Sequence, residues 1–239
     1  MSKVSIPLGM GIYSRAEAAR LLRLTPPRLN RWVRGYTYWL RSGTPRKTKQ
    51  PPVVRADLPA IDGTIALSFL ELMELRVVAA LVSAGVPLQR VRVAASRISS
   101  DFQTSHPFAH RRLYTDREQV FVALAAENGE PDLLQVTGRR AGEQLIAGGI
   151  FEGYVEQIDF GVSTALAERW YPLGRHVPVV LDPRIAFGAP VIAGTGIRTD
   201  AISRYAAGNS VRALAGAFEL ERPRIEAALN FEAQLKRAA

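Results

Sequence analysis

Cysteine is missing from all 239 residues. That absence excludes disulfides, cysteine-ligated zinc, iron–sulfur clusters and thiol catalysis. Uninterrupted apolar runs are missing too: none approaches the ~20 residues needed to cross a bilayer. The stretch from Met1 to Ile12 lacks the basic start and long apolar core of a secretory signal, so the expected location is the cytoplasm. Histidine occurs three times. His106 and His110 stand four apart, but Pro107 intervenes and no third ligand is near, so no metal site and no cofactor are expected. Asp57 and Asp62 flank Pro59 and Gly63 and read as loop residues, not as an acid/base pair. The glycine-rich run Gly188 to Thr199 lacks the Gly-Lys-Ser/Thr of a phosphate-binding loop. With no nucleophile–base pair and no metal constellation, the chain is not expected to be an enzyme.

Acid is the most informative scarcity. Residues 1–55 hold twelve Lys/Arg against one acid, Glu17. The rest is near balance: residues 56–169 sum to −5 and residues 170–239 to +3, within an overall net charge of +9. A basic block on a 47% apolar, globular chain attracts a polyanion through counterion release.

That block has a helical pattern. Ser14 and Glu17 form a capping box that predicts a helix from about Arg15, with Ala16, Ala19 and Leu22 on one face. Leu24-Thr25-Pro26-Pro27 interrupts it, with Thr25 placed to cap a second helix that runs to about Arg34 and stops at Gly35. At 100° per residue, Leu29, Trp32, Val33 and Tyr36 gather on one side of that helix. Asn30, Arg31 and Arg34 lie opposite, with Arg28 at the edge. An apolar face to seat the helix and long donors outside are what a recognition helix needs: Arg bonds two acceptors of guanine, and Asn does the same for adenine. Tyr36 to Trp39 predicts a strand, Val53-Val54 its return, and Arg41, Arg46, Lys47 and Lys49 lie between as a basic wing for phosphates or a minor groove. Trp32, Trp39 and Trp170 read as core or hairpin packing.

A second box, Ser68 with Glu71, opens a helix that Gly85 ends, and Pro87 opens another with Leu88, Val91, Ala95 and Ile98 inward. Residues 118–137 resemble a hairpin turning at Asn128-Gly129. Residues 150–159 fit a short helix or a strand, and Trp170 to Gly174 reads as a link. Val177 to Leu181 predicts a short strand, followed by helices over about 199–207, 210–218 and 223–237, the last two resembling a helix-turn-helix. The expected fold is α+β and mostly helical, in three parts: a winged helix-turn-helix at 1–99, a connecting region at 100–169 and a small helical domain at 170–239.

Two resemblances sharpen this reading. Tyr13 to Leu22, then Thr25-Pro26 and Arg31-Trp32, together with Ser68 to Leu72, Ala84-Gly85-Val86 and Val91-Arg92, resemble the winged helix-turn-helix of MerR-type regulators. Typical members carry a long dimerising coiled-coil helix and often cysteine metal ligands, both absent here. Asp182-Pro183-Arg184, Gly188 to Ile192, Gly194-Thr195, Ser210 and Ala227-Ala228-Leu229 resemble a small bacterial domain of originally uncharacterised function. That domain is found in VapB-type antitoxins paired with PIN-like ribonuclease toxins. The combination implies an antitoxin that binds its toxin and, as an autorepressing homodimer, its operator DNA. The alternative is a MerR-like regulator sensing an organic ligand through residues 100–170. Because a PIN-like ribonuclease carries clustered acidic metal ligands, the resemblance implies that an inserted arginine neutralises it. Arg175, Arg184 and Arg198, expected in loops, and Arg204, expected on a helix, are the candidates.

Overall fold

The computed structural model describes residues 9–40, 46–60, 64–115 and 153–237. The expected hairpin at 118–137 lies outside them, as do Arg41 and Asp62. The mostly helical α+β expectation holds: eight α-helices and four two-stranded sheets are seen among the described residues.

Strand β1 (Tyr13–Ser14) pairs antiparallel with β4 (Ala66–Leu67) and leads into α1 (Arg15–Leu22). The Ser14 hydroxyl accepts the Glu17 N–H at 3.2 Å, and the Glu17 carboxylate accepts the Ser14 N–H at 2.9 Å. Two otherwise orphaned donors are thereby satisfied. The buried face of α1 is Ala18, Ala19 and Leu21, while Ala16 is exposed. The expected stripe is rotated because α1 packs against α2 (Pro26–Arg34), α3 (Phe69–Ser83) and the last helix at once. Thr25 precedes α2, but its side chain makes no capping bond; Pro26 and Pro27 fill the first turn, where a missing N–H costs nothing.

After Gly35 the chain enters β2 (Tyr36–Leu40), which pairs antiparallel with β3 (Arg46–Gln50). The return strand is therefore the basic stretch itself and not Val53-Val54. Those two valines instead donate their N–H groups to the Trp32 carbonyl, at 2.7 and 3.4 Å, and close the wing's base onto α2.

Helix α3 is buried nearly all round, from Phe69 and Leu72 through Leu75 and Val78 to Leu81. It is the axis of the chain's own core. Its capping box is formed by Ser68 and Glu71 as the spacing predicts. Helix α4 (Leu88–Phe102) follows, burying Val91, Ala94 and Ile98. A 3₁₀ turn (Pro107–Ala109) and the short α5 (Arg112–Thr115) complete this half.

The stretch around 158 is a strand: β5 (Ile158–Phe160) pairs antiparallel with β6 (Ala167–Trp170). Trp170 is not a link but a buried strand end, exchanging backbone hydrogen bonds with Leu181 at 2.9 and 3.0 Å. Strand β7 (Val179–Val180) pairs with β8 (Val191–Ile192). Helices α6 (Thr199–Tyr205), α7 (Val211–Ala217) and α8 (Arg222–Arg237) close the chain. One hydrophobic cluster runs from Tyr13 through Phe69 and Trp170 to Leu235. The two ends also meet by polar contacts: the Tyr13 hydroxyl donates to the Gly188 carbonyl at 2.7 Å, and Arg23 Nη2 to Gln234 Oε1 at 2.9 Å.

Asp182 anchors the β7–β8 connection. Its carboxylate is 2% exposed and accepts Arg169 Nε and Arg184 Nε, each at 2.9 Å, and Arg184 Nη2 at 2.8 Å. Burial alone would raise its pKa, but the hydrogen bonds from Arg184 and Arg169 hold it down at about 2. A depressed acid stabilises the fold fully above its ordinary pKa and loses that contribution as pH falls through the folded value. Acid titration of thermal stability should therefore show a loss of about 1–2 kcal/mol between pH 4 and pH 2, the half-exposed arginines moderating it. Asp182→Asn should flatten that arm; an unchanged arm in the variant would refute the assignment.

Candidate nucleic-acid interface

The second helix of the helix-turn-helix is seated as its pattern requires. Leu29, Trp32 and Val33 are buried; Arg31 and Arg34 are exposed, and Arg28 and Asn30 are half-buried. Arg31 does not float: its guanidinium lies 4.3 Å from the centroid of the Tyr36 ring, a cation–π contact that limits its side-chain freedom. Arg28 similarly lies 5.0 Å from the Trp32 ring. Arg34 has no hydrogen bond or ion pair with any described residue. Asn30 is engaged, since its Oδ1 accepts Arg15 Nη1 at 2.5 Å. Within the chain it therefore links α2 to α1, leaving its amide donors for an outside partner.

The wing adds a second basic edge. Thr37 faces Lys49 and Trp39 faces Lys47 across the ladder, so both lysines share one face with those side chains. Arg46, Lys47 and Lys49 are exposed and unpaired among the described residues. Trp39, expected as packing, is 61% exposed beside Lys47, while Trp32 and Trp170 are buried. Trp39 is thus the most exposed aromatic of the wing, which its composition alone did not mark.

The wing is braced from behind by groups that sequence spacing does not connect. Arg92 on α4 donates Nε to the Pro51 carbonyl at 3.1 Å. Asp57 pairs with His106 Nε2 at 2.9 Å, and His106 Nδ1 lies 3.3 Å from Glu74 Oε2. Glu71 accepts the Asp57 N–H as well as that of Ser68. Burial pushes the Glu71 carboxyl up to about 7 against those two bonds and likewise raises Glu74. Burial would lower the His106 pKa, but Glu74, Asp57 and Glu71 outweigh it and raise it. The cluster ties the segment after the wing to α3 and to the 3₁₀ turn. His110 instead stacks on Phe102 at 5.3 Å, so the two histidines do not converge.

The four arginines expected to meet a toxin, Arg175, Arg184, Arg198 and Arg204, are all paired within the chain. Arg175 contacts Asp159 at 2.7 Å and the carbonyls of Glu156 and Ile158. Arg184 holds Asp182 through two nitrogens, and Arg198 holds Asp200 in the same way at 2.9 Å. Arg204, on α6 as expected, is tied among the described residues only to Asp200, at 3.8 Å, and is 73% exposed. The first three occupy loop or cap positions, and their guanidinium donors are largely used.

Two short helices, a tight turn, a basic outer face and a two-stranded wing define a winged helix-turn-helix protein of the DNA-binding class. Residues 11–95 match the family described as "Putative DNA-binding HTH domain", and residues 179–231 match "Protein of unknown function (DUF433)". A relative from Mycobacterium tuberculosis named "Putative antitoxin VapB45" is 33% identical over 211 residues, covering 85% of this chain and 86% of its own. The X-ray crystal structure of Rv2018 from the same organism superposes with a TM-score of 0.67 at 26% identity, covering 94% of this chain and 100% of that one. The chain belongs to the VapB-type antitoxin family of that relative. No described helix is long and apolar enough to cross a membrane.

Proposed function

We propose that this protein is a cytoplasmic antitoxin that represses its own operon through double-stranded DNA and neutralises a PIN-like ribonuclease toxin, by binding and not by catalysis. The observation that carries the DNA half is that Arg31 and Arg34 on α2 and Lys47 and Lys49 on the wing are all exposed and form no ion pair with any described acid. Arg31 and Arg34 are assigned to base edges, with Arg28 and the free amide of Asn30 beside them. Arg41, Arg46, Lys47 and Lys49 are assigned to phosphates. One such unit covers a half-site, so the acting species is a two-fold homodimer on a palindrome.

Binding of the full chain to the DNA upstream of its own gene tests this. Lys47→Ala and Lys49→Ala should each reduce the slope of log affinity against log salt by about one and weaken all sequences alike. An unchanged slope in the double variant would remove the wing from the interface.

For the toxin, Arg204 is the best supported of Arg175, Arg184, Arg198 and Arg204, because it alone is loosely held. Tyr205, next to it in sequence, is 64% exposed and stands edge-on to Phe218, an exposed aromatic of the kind found at binding hot spots. Co-expression with the product of the adjoining reading frame is the test. Arg204→Ala should weaken co-purification and growth rescue while operator binding persists. Full rescue by that variant assigns neutralisation elsewhere.

A further inference from the structure

Arg76 carries a buried charge for which the described chain offers no counter-ion. It lies in the middle of α3, 8% exposed, with its guanidinium 3.6 Å from the Tyr154 ring centroid and 5.0 Å from that of Trp170. Its Nη2 donates to the Gln157 side-chain oxygen. Its Nη1 has no hydrogen-bond partner, and neither has the indole Nε1 of Trp170. No described carboxylate pairs with it. Desolvation lowers its pKa to about 10, which leaves it charged at neutral pH. Aromatic faces offset part of the lost hydration, but a buried cation and two buried donors without acceptors are an unfavourable set unless something completes them.

Both residues line a cavity of about 250 Å³ between α1, α3 and α8. The rest of the wall is mixed: Leu22, Leu173, Phe231 and Leu235 supply apolar side chains, and Tyr154, Gln157 and the exposed Arg23 supply polar groups. The volume falls just below the roughly 300–1,000 Å³ usual for ligand pockets. That limits an occupant to about the size of benzoate or a short fatty acid.

We propose that this cavity binds a small organic carboxylate, whose oxygens accept hydrogen bonds from Arg76 Nη1 and Trp170 Nε1 while its hydrocarbon body packs on Leu22, Leu173, Phe231 and Leu235. The planar guanidinium matches a carboxylate in shape as well as charge. The apolar side chains favour an anion that carries a hydrocarbon body over an inorganic one. Tyr154, Gln157 and Trp170 bring the region before 170 into the site, so a DNA-binding protein of this family has a place to sense a metabolite as well as a toxin.

The test is titration of the full-length protein with benzoate and with hexanoate, followed by the ¹⁵N–¹H resonance of the Trp170 indole and by thermal melting; benzamide and inorganic phosphate are the controls. Trp170→Phe assigns the resonance by its loss. A carboxylate should shift that resonance saturably and raise the melting temperature, with benzamide and phosphate much weaker. Arg76→Met should melt no lower than the parent without ligand, because it removes an unpaired buried charge, and should bind the carboxylate at least about tenfold more weakly. Should Arg76→Met fail to fold, Arg76→Lys and Trp170→Phe replace it, each expected to weaken binding severalfold with an unchanged circular dichroism spectrum. No response to either carboxylate overturns the proposal. So does benzamide or phosphate binding as well as benzoate, or undiminished affinity in the folded variants. None of these readouts involves DNA or toxin.

Discussion

Gly35→Ala is expected to destabilise the protein by about 2–5 kcal/mol and to detach the wing from α2. Gly35 sits at φ 71° and ψ −173°, a region that side chains essentially do not enter. A Cβ there would stand 2.1 Å from the Gln50 carbonyl oxygen and 2.9 Å from the Pro51 carbonyl carbon. Both are backbone atoms at the base of the wing, where its second strand ends, so neither can rotate away. Gly194→Ala is the internal control: its φ is +76°, yet nothing lies within 4 Å of the added carbon. It should lose only the conformational part, roughly 1 kcal/mol. Urea denaturation of the two variants separates the effects. Equal midpoints would show that the close approach at Gly35 is relieved at no cost.

The double variant Arg31→Ala/Arg34→Ala should lose roughly 30-fold to about 20,000-fold in operator affinity at fixed salt, from about 1–3 kcal/mol for each arginine proposed to read a base edge. Its melting temperature should scarcely move, because both side chains are exposed and Arg34 makes no bond within the described chain. Tyr36→Leu should weaken binding more modestly by releasing Arg31 from its 4.3 Å ring contact. Fluorescence anisotropy with the operator and with a scrambled duplex distinguishes base reading from charge alone. If the double variant binds within twofold of the parent, α2 is not the reading helix.

What could be read in advance was what local chemistry decides. Ser14–Glu17 and Ser68–Glu71 are complete within four residues, and both capping boxes form. The apolar arc of α2 is likewise a property of one helix, and Leu29, Trp32 and Val33 are buried as their spacing requires. Errors entered where a second element decides. Val53-Val54 has the stronger strand composition, yet Arg46–Gln50 forms the strand because β2 pairs with it and the edge can stay in water. The buried arc of α1 answers to three neighbours and so departs from its own pattern. The partners of His106 come from distant segments, and no spacing rule links them. Arg184–Asp182 and Arg198–Asp200 are only two residues apart, so those pairings were visible in principle. Arg76 had a signal as well: it is the one cation in the otherwise apolar and acidic run from Phe69 to Ser83.

The bond from the Tyr13 hydroxyl to Gly188 spans 175 positions of sequence, and Ile12 donates to the neighbouring Phe187. On a ribosome adding 5–20 residues per second, the tyrosine emerges about 10–35 s before its acceptor exists. Throughout that interval the helix-turn-helix has its capping boxes and its own apolar contacts but neither this anchor nor the Gln234 contact of Arg23. Translation order thus makes the DNA-reading half the first to form and the last to be locked, and a chain cut short before Gly188 leaves the ribosome with that half unfastened.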